Sequence, residues 1–175
     1  MPPRIAIVLP CYNEQEVLPS TARTLLALLD RFAADGIIAP DSYIMCSNDG
    51  SRDGTRSIIA ALHSADPRVK GITLAHNRGQ QAALLAGLMS VRERCDAAIT
   101  IDADLQDNPE MMRRMIELFS RGTDIVYGVR SSRDSDSWFK RVSAQTFYRF
   151  QSAMGLQTVY NHADYRLMSR RALDI

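Results

Sequence analysis

The chain has 175 residues with 21 basic and 20 acidic side chains, long enough for one domain with a buried core and without the charge surplus that nucleic acid would demand. No apolar run approaches the roughly 20 residues needed to span a bilayer, and the N-terminus lacks the charged-then-apolar profile of a secretory signal, so a soluble, cytosolic domain is expected. Cys11, Cys46 and Cys95 stand apart without metal-type spacing. Two of them lie in or beside apolar strand-like runs, which points to core packing and not to a disulfide framework.

Residues 4–9 form a continuous apolar strand, broken by Pro10-Cys11-Tyr12-Asn13-Glu14, after which Val17, Leu18, Leu25, Leu28, Leu29 and Phe32 recur at helical spacing. A second short strand over 43–47 runs into Asn48-Asp49-Gly50-Ser51-Arg52-Asp53, a tight polar turn that caps the next helix at Asp53. The third strand, 69–75, leads through His76-Asn77-Arg78-Gly79 into a helix carrying Ala82, Ala83, Leu85, Ala86 and Met89. A fourth strand covers 97–101. Asn108 as cap and Pro109 at the first position open a helix that runs to about Arg121, and a fifth strand covers 124–129. Past residue 129 the chain turns polar. Trp138 then opens a helix with an apolar face of Phe139, Val142, Phe147, Phe150 and Met154, suited to core packing or to lying on a membrane surface. A final strand-like piece covers 165–168.

Strict alternation of strand and helix predicts an α/β fold, a mostly parallel sheet flanked by helices, with ligands held outside the carboxyl ends of the strands. Tyr12, Asn13, Glu14, Asp49, Asn77, Asp102 and Asp104 all fall just after a strand, so one rim collects the polar chemistry. Within it, Ile-Thr-Ile stops abruptly at Asp102 and Asp104, spaced i, i+2. On an extended strand that spacing points both carboxylates the same way. Two carboxylates so close repel unless a cation lies between them, and oxygen donors suit Mg²⁺ or Mn²⁺. Gln106 could add an amide oxygen. Neither a P-loop nor a G-x-G-x-x-G motif occurs, which argues against an ATPase or a dinucleotide oxidoreductase. His63, His76 and His162 are too scattered to form a metal set.

The strings Val8-Leu-Pro-Cys-Tyr-Asn-Glu14, Asn48-Asp-Gly-Ser51, Asn77-Arg-Gly79, Asp102-Ala-Asp-Leu-Gln106, Gly128-Val-Arg130 and Ala163-Asp-Tyr-Arg166, taken in order, resemble the family-2 glycosyltransferases. More narrowly they are similar to the polyprenyl-phosphate hexose synthases, the dolichyl-phosphate mannose synthase and undecaprenyl-phosphate glucosyltransferase group. The resemblance implies a Rossmann-like GT-A fold, a UDP- or GDP-hexose donor, a polyprenyl phosphate acceptor, Mg²⁺ or Mn²⁺, and inversion at the anomeric carbon. By the same resemblance Pro10, Tyr12, Asn13 and Glu14 hold base and ribose, and Asp49 contacts the base. Asp102, Asp104 and Gln106 form the metal set, Asp104 being the firmer ligand, while Asp102 and Ala103 lie nearer the nucleoside. Arg130 serves the diphosphate. Asp104, Arg130 and Asp164 make up the catalytic group, with Arg133, Lys140, Arg141 and Arg166 on the acceptor side. Residues 1–129 are then the nucleotide-binding core and 130–175 the acceptor-side segment of a single catalytic domain. Membrane-anchoring helices beyond Ile175 would hold it at the inner face of a membrane, and a homo-oligomer stays open.

Position 48 departs from the pattern, with Asn where many relatives carry Asp, and this bears on base choice. If the acceptor is a lipid phosphate, its oxygen is already anionic at neutral pH and needs in-line placement more than a general base. Arginines, able to grip phosphate bidentately, then matter most. A glycan hydroxyl acceptor would instead need a carboxylate base, for which Asp164 is the candidate. A nucleotide-binding module without transfer is the alternative from a different class.

Overall fold

The apolar runs of the first 129 residues become β1 (Ile5–Cys11), β2 (Tyr43–Asn48), β3 (Val69–Thr73), β4 (Ala97–Thr100) and β5 (Ile125–Val129). Between them lie α1 (Leu18–Ala34), α2 (Thr55–Ala65), α3 (Gln80–Val91) and α4 (Met111–Ser120); β6 (His162–Ser169) and the short α5 (Arg170–Leu173) follow. The structure, a computed structural model, describes residues 1–129 and 162–174. The predicted helix from Trp138, and Arg130, Arg133, Lys140 and Arg141 with it, lie outside the described residues.

The six strands form one sheet in the order β3-β2-β1-β4-β6-β5. β1 pairs parallel with β2 and with β4, and β2 pairs parallel with β3. β6 runs antiparallel to β4, with Ala97 opposite Ser169 and Thr100 opposite Arg166. β2 and β4 are buried at every position and β1 at all but Pro10. That is why these strands read as unbroken apolar runs and not as alternation: helices cover both faces. The apolar stripe of α1, from Leu18 through Leu25 and Leu29 to Phe32, is buried. On α3, Leu84, Leu88 and Val91 join a core cluster with Ala6, Val8, Tyr43 and Met45. Gly87 lets this helix lie close to the sheet, because a Cβ there would come within 2.5 Å of Val8 Cγ1.

Three details differ from expectation. α4 begins at Met111 and not at Pro109, because Asn108 Oδ1 accepts the Glu110 amide at 3.0 Å and closes a turn ahead of the helix. The last strand is longer than residues 165–168 and sits between β4 and β5, interrupting the parallel run. By packing, the chain divides into two units, Met1–Val126 with Asp164–Ile175, and Tyr127–Ala163. Residues 164–175, expected with the acceptor-side segment, thus belong to the core unit, since β6 hydrogen-bonds along β4. All three cysteines are buried and free. Among the described residues no helix is long and apolar enough to cross a membrane.

Candidate active site

β1 is the point where the winding of the sheet reverses: β2 and β3 lie on one side of it and β4 on the other. Loops leaving such neighbouring strands diverge and open a crevice at their carboxyl ends. Here it is a cleft of about 330 Å³. It is lined by Pro10 and Cys11 at the end of β1, Tyr12 and Glu14 after it, Asp49 after β2, Asn77, Gly79, Gln80 and Ala83 around the start of α3, and Asp102, Ala103 and Asp104 after β4.

The loop after β2 is shaped from within. Asn48, fully buried, accepts from the Ser51 amide at 3.1 Å and its hydroxyl at 2.5 Å, and its own amide donates to Thr73 Oγ1 at 3.5 Å. A carboxylate could accept from Ser51 but could not donate to Thr73. Asn48 is not part of the cleft lining. Asp49, 2% exposed, accepts the Arg78 amide on Oδ1 at 2.7 Å and the Gly79 amide on Oδ2 at 2.8 Å. Its charge thus sits at the N-terminus of α3, where amide donors and the helix dipole favour an anion. Gly50 has φ +63°, and a Cβ on it would lie 2.7 Å from the His76 carbonyl carbon. Only glycine lets the second and third loops approach this closely.

Asn13 is also left-handed, at φ 57°. Its amide donates to Ser51 Oγ at 3.0 Å, and its side-chain oxygen accepts the Arg52 amide at 2.9 Å. Asn13 therefore ties the first loop to the second and does not line the cleft. Next to it the Glu14 amide donates to Thr55 Oγ1 at 2.8 Å, and Gln15 Oε1 accepts the Gly54 amide at 2.8 Å. Asp53, two residues before the start of α2, accepts the amide of its first residue, Thr55, at 3.0 Å.

Asp102 and Asp104 do share the cleft, though by a different route from the one their spacing suggested. β4 ends at Thr100, and the carboxylates stand on a turn closed by the Leu105 amide donating to Asp102 O at 3.2 Å, with Leu105 at φ 49°. Gln80 Nε2 donates to Asp102 Oδ1 at 2.9 Å. Gln106 presents its amide nitrogen and not its oxygen to Asp104, donating to Oδ2 at 2.7 Å, and it lies outside the cleft lining. Glu14 faces the pair. Desolvation first, then the charges of Asp104, Asp53 and Asp102, push its carboxyl above the usual range. Burial and neighbouring negative charge thus act together on Glu14.

That charge pattern fits a hard divalent cation. The acidic groups lining the cleft, Glu14, Asp49, Asp102 and Asp104, offer oxygen donors, and among the described residues no group of three or more His, Cys, Asp or Glu is placed to hold a metal ion by itself. A cation held by Asp102 and Asp104 would complete its shell with water and substrate phosphate, as Mg²⁺ and Mn²⁺ do.

Of the remaining expected residues, Arg166 pairs with Thr100 across β6 and β4, and its buried Nε has no hydrogen-bond partner among the described residues. It is not among the cleft residues, and Asp164 lies two positions before it on β6. Cys11, Gly79, Gln80 and Ala83 line the cleft without having been singled out as site residues. Gln80 carried a usable signal: it is polar, directly follows Asn77-Arg78-Gly79, and opens a helix at the same rim.

The sequence family model for Glycosyl transferase family 2 matches residues 6–175. The chain belongs to glycosyl transferase family 2. It is 44% identical over 172 residues to an uncharacterized glycosyltransferase of Bacillus subtilis (strain 168), YkoT, covering 98% of this chain and 51% of that protein. It is 36% identical over 172 residues to the bactoprenol glucosyl transferase of Shigella phage SfX, covering 98% of this chain and 54% of that one. This family-2 chain thus spans about half the length of the curated relatives it matches. Its fold is similar to that of the mannosyltransferase PcManGT from Pyrobaculum calidifontis in complex with GDP-Man and Mn²⁺. There the TM-score is 0.64 at 18% identity, over 99% of this chain and 46% of that one. The sheet and its helices have the GT-A fold, in keeping with that family membership.

Proposed function

We propose that this domain moves a hexose from a UDP- or GDP-linked donor to a polyprenyl phosphate, with inversion at the anomeric carbon and with Mg²⁺ or Mn²⁺ held by Asp102 and Asp104. The observation that carries the reading is the meeting of those two carboxylates with Tyr12, Glu14 and Asp49 on one cleft at the reversal point of the sheet. The SfX relative, named for a bactoprenol acceptor, supports the lipid phosphate. PcManGT, with GDP-Man and Mn²⁺ in its complex, supports the donor class and the metal. On this reading the full-length protein works at the cytoplasmic face of a membrane, held there by segments beyond this domain.

When bound, the cation supplies charge stabilisation to the departing diphosphate. The chain does the rest. Tyr12, half-exposed at the cleft, offers an aromatic face for the base. Pro10 stiffens the floor beneath it, and Glu14 accepts from the ribose hydroxyls. Asp49, through Arg78 and Gly79, fixes the wall that the base abuts. The acceptor phosphate attacks as an anion, so basic side chains suit it; the family resemblance nominates Arg130 for the diphosphate, Arg166 with Asp164 for the sugar, and Arg133, Lys140 and Arg141 for the headgroup.

The test is the full-length protein in vesicles with and without polyprenyl phosphate, offered UDP-glucose and GDP-mannose. One donor should be consumed only when both the lipid phosphate and a divalent cation are present. Asp104→Ala should lower the rate by at least about 100-fold with an unchanged melting temperature. Turnover that follows an added glycan hydroxyl would overturn the acceptor, and full activity in Asp104→Ala would overturn the metal site.

A further inference from the structure

α1 carries three hydroxyl side chains, Ser20, Thr21 and Thr24. Two of them satisfy themselves locally. Ser20 Oγ donates to Val17 O at 2.7 Å and Thr24 Oγ1 to Ser20 O at 3.0 Å, the usual behaviour of a helical Ser or Thr. Thr21 does something else: 2% exposed, it reaches off the helix and donates to the carbonyl of Ala103 at 2.5 Å.

Ala103 is the residue between the two carboxylates. It lies past the end of β4 and is only 3% exposed. Its carbonyl is held by Thr21, and Asp102 and Asp104 on either side of it border the cleft. The turn also carries the left-handed Leu105, a conformation that persists only when its surroundings hold it. α1 itself starts from the cleft, since Glu14 O accepts the Leu18 amide at 2.9 Å. One helix therefore joins the Tyr12–Glu14 loop to the acidic turn.

We propose that Thr21 is a positioning residue for Asp102 and Asp104: its hydroxyl, by fixing the Ala103 carbonyl, sets the direction of both carboxylates and hence the affinity of the turn for a divalent cation. This rests on the metal-dependent reading above. Groups that orient metal ligands from behind change affinity about 10- to 100-fold when lost. Because Thr21 acts through backbone, the lower end of that range is expected.

Thr21→Val keeps the shape and removes the hydroxyl, and Thr21→Ser keeps the hydroxyl. Two measurements separate positioning from packing: Mn²⁺-dependent binding of UDP and GDP by calorimetry, and hydrogen exchange of the Leu105 amide in metal-free protein. Thr21→Val should raise the Mn²⁺ concentration for half-saturation about tenfold and speed exchange at Leu105. Thr21→Ser should stay within about twofold of the parent on both. Should Thr21→Val fail to fold, Thr21→Ala set against Thr21→Ser carries the same comparison. A hydroxyl-free variant with parental half-saturation and parental exchange would overturn the role of Thr21. A parent protein whose nucleotide binding ignores Mn²⁺ and Mg²⁺ would instead overturn the metal reading, and the proposal with it, whatever the exchange shows.

Discussion

On one side of the cleft the loops after β1, β2 and β3 are hydrogen-bonded to each other: Asn13 to Ser51 and Arg52, Gln15 to Gly54, Asp49 to Arg78 and Gly79. On the other side the turn after β4 is held from beneath. Thr21 reaches Ala103, and Tyr165, raised in pKa chiefly by burial and then by Asp107, donates to Asn108 O at 3.2 Å. On the first side Asp49 accepts from backbone amides inside the fold. Asp104 on the second side is exposed, and with Asp102 it repels Glu14. The first side is a preformed shape and the second a preformed charge, so disruption should act on stability in one case and on ligand response in the other.

Gly50→Ala should break the shape most severely. It forces a left-handed alanine against the backbone of His76 and Asn77, at a cost of roughly 2–5 kcal/mol, readable as a loss of denaturant midpoint with or without metal. Asp49→Asn is milder. The Arg78 and Gly79 amides bond to separate oxygens of Asp49, and in the variant one of them would face an NH2 donor, so stability should fall by about 1–3 kcal/mol. Nucleotide binding should weaken even without Mn²⁺, which calorimetry would show. Glu14→Gln should have the smallest effect on stability, and of opposite sign. Its folded pKa lies above the ordinary 4.5, so the ionised form is penalised in the fold. The penalty is absent below about pH 4.5 and complete once pH exceeds the folded value. At pH 7 the variant should gain up to about 0.5 kcal/mol, allowing for solvent screening, and that gain should vanish in melts at pH 4. Its nucleotide affinity should nonetheless fall, by about tenfold for a lost charged hydrogen bond.

The parallel part of the sheet was legible because its strands are buried on both faces and so read as uninterrupted apolar runs. The cleft was legible because polar side chains follow each strand directly. Asn13 and Gln106 show where that logic stops. Asn13 sits between two cleft residues in sequence and Gln106 two positions after one, yet local loop closure takes each side chain, Asn13 for the Arg52 amide and Gln106 for Asp104. Asp102 and Asp104 were paired by an alternation argument, whereas the strand ends before them and a turn does the pairing. Thr21 could not be found, because its partner is 82 positions away in the chain and a threonine inside an amphipathic helix looks like any other. The placement of β6 was equally hidden. Nothing in the composition of 162–169 says that it will run against β4 and not beside β5 alone.

That antiparallel insertion has a consequence for biosynthesis. The outer edge of β4 pairs with residues 166–169, which leave the ribosome more than sixty residues after it. During that interval the nascent domain exposes a row of unpaired amides and carbonyls next to the acidic turn, a template for adhesion to other chains. A ribosome-bound chain stalled before His162 should accordingly recruit chaperone or self-associate, and release of the next eight residues should end both.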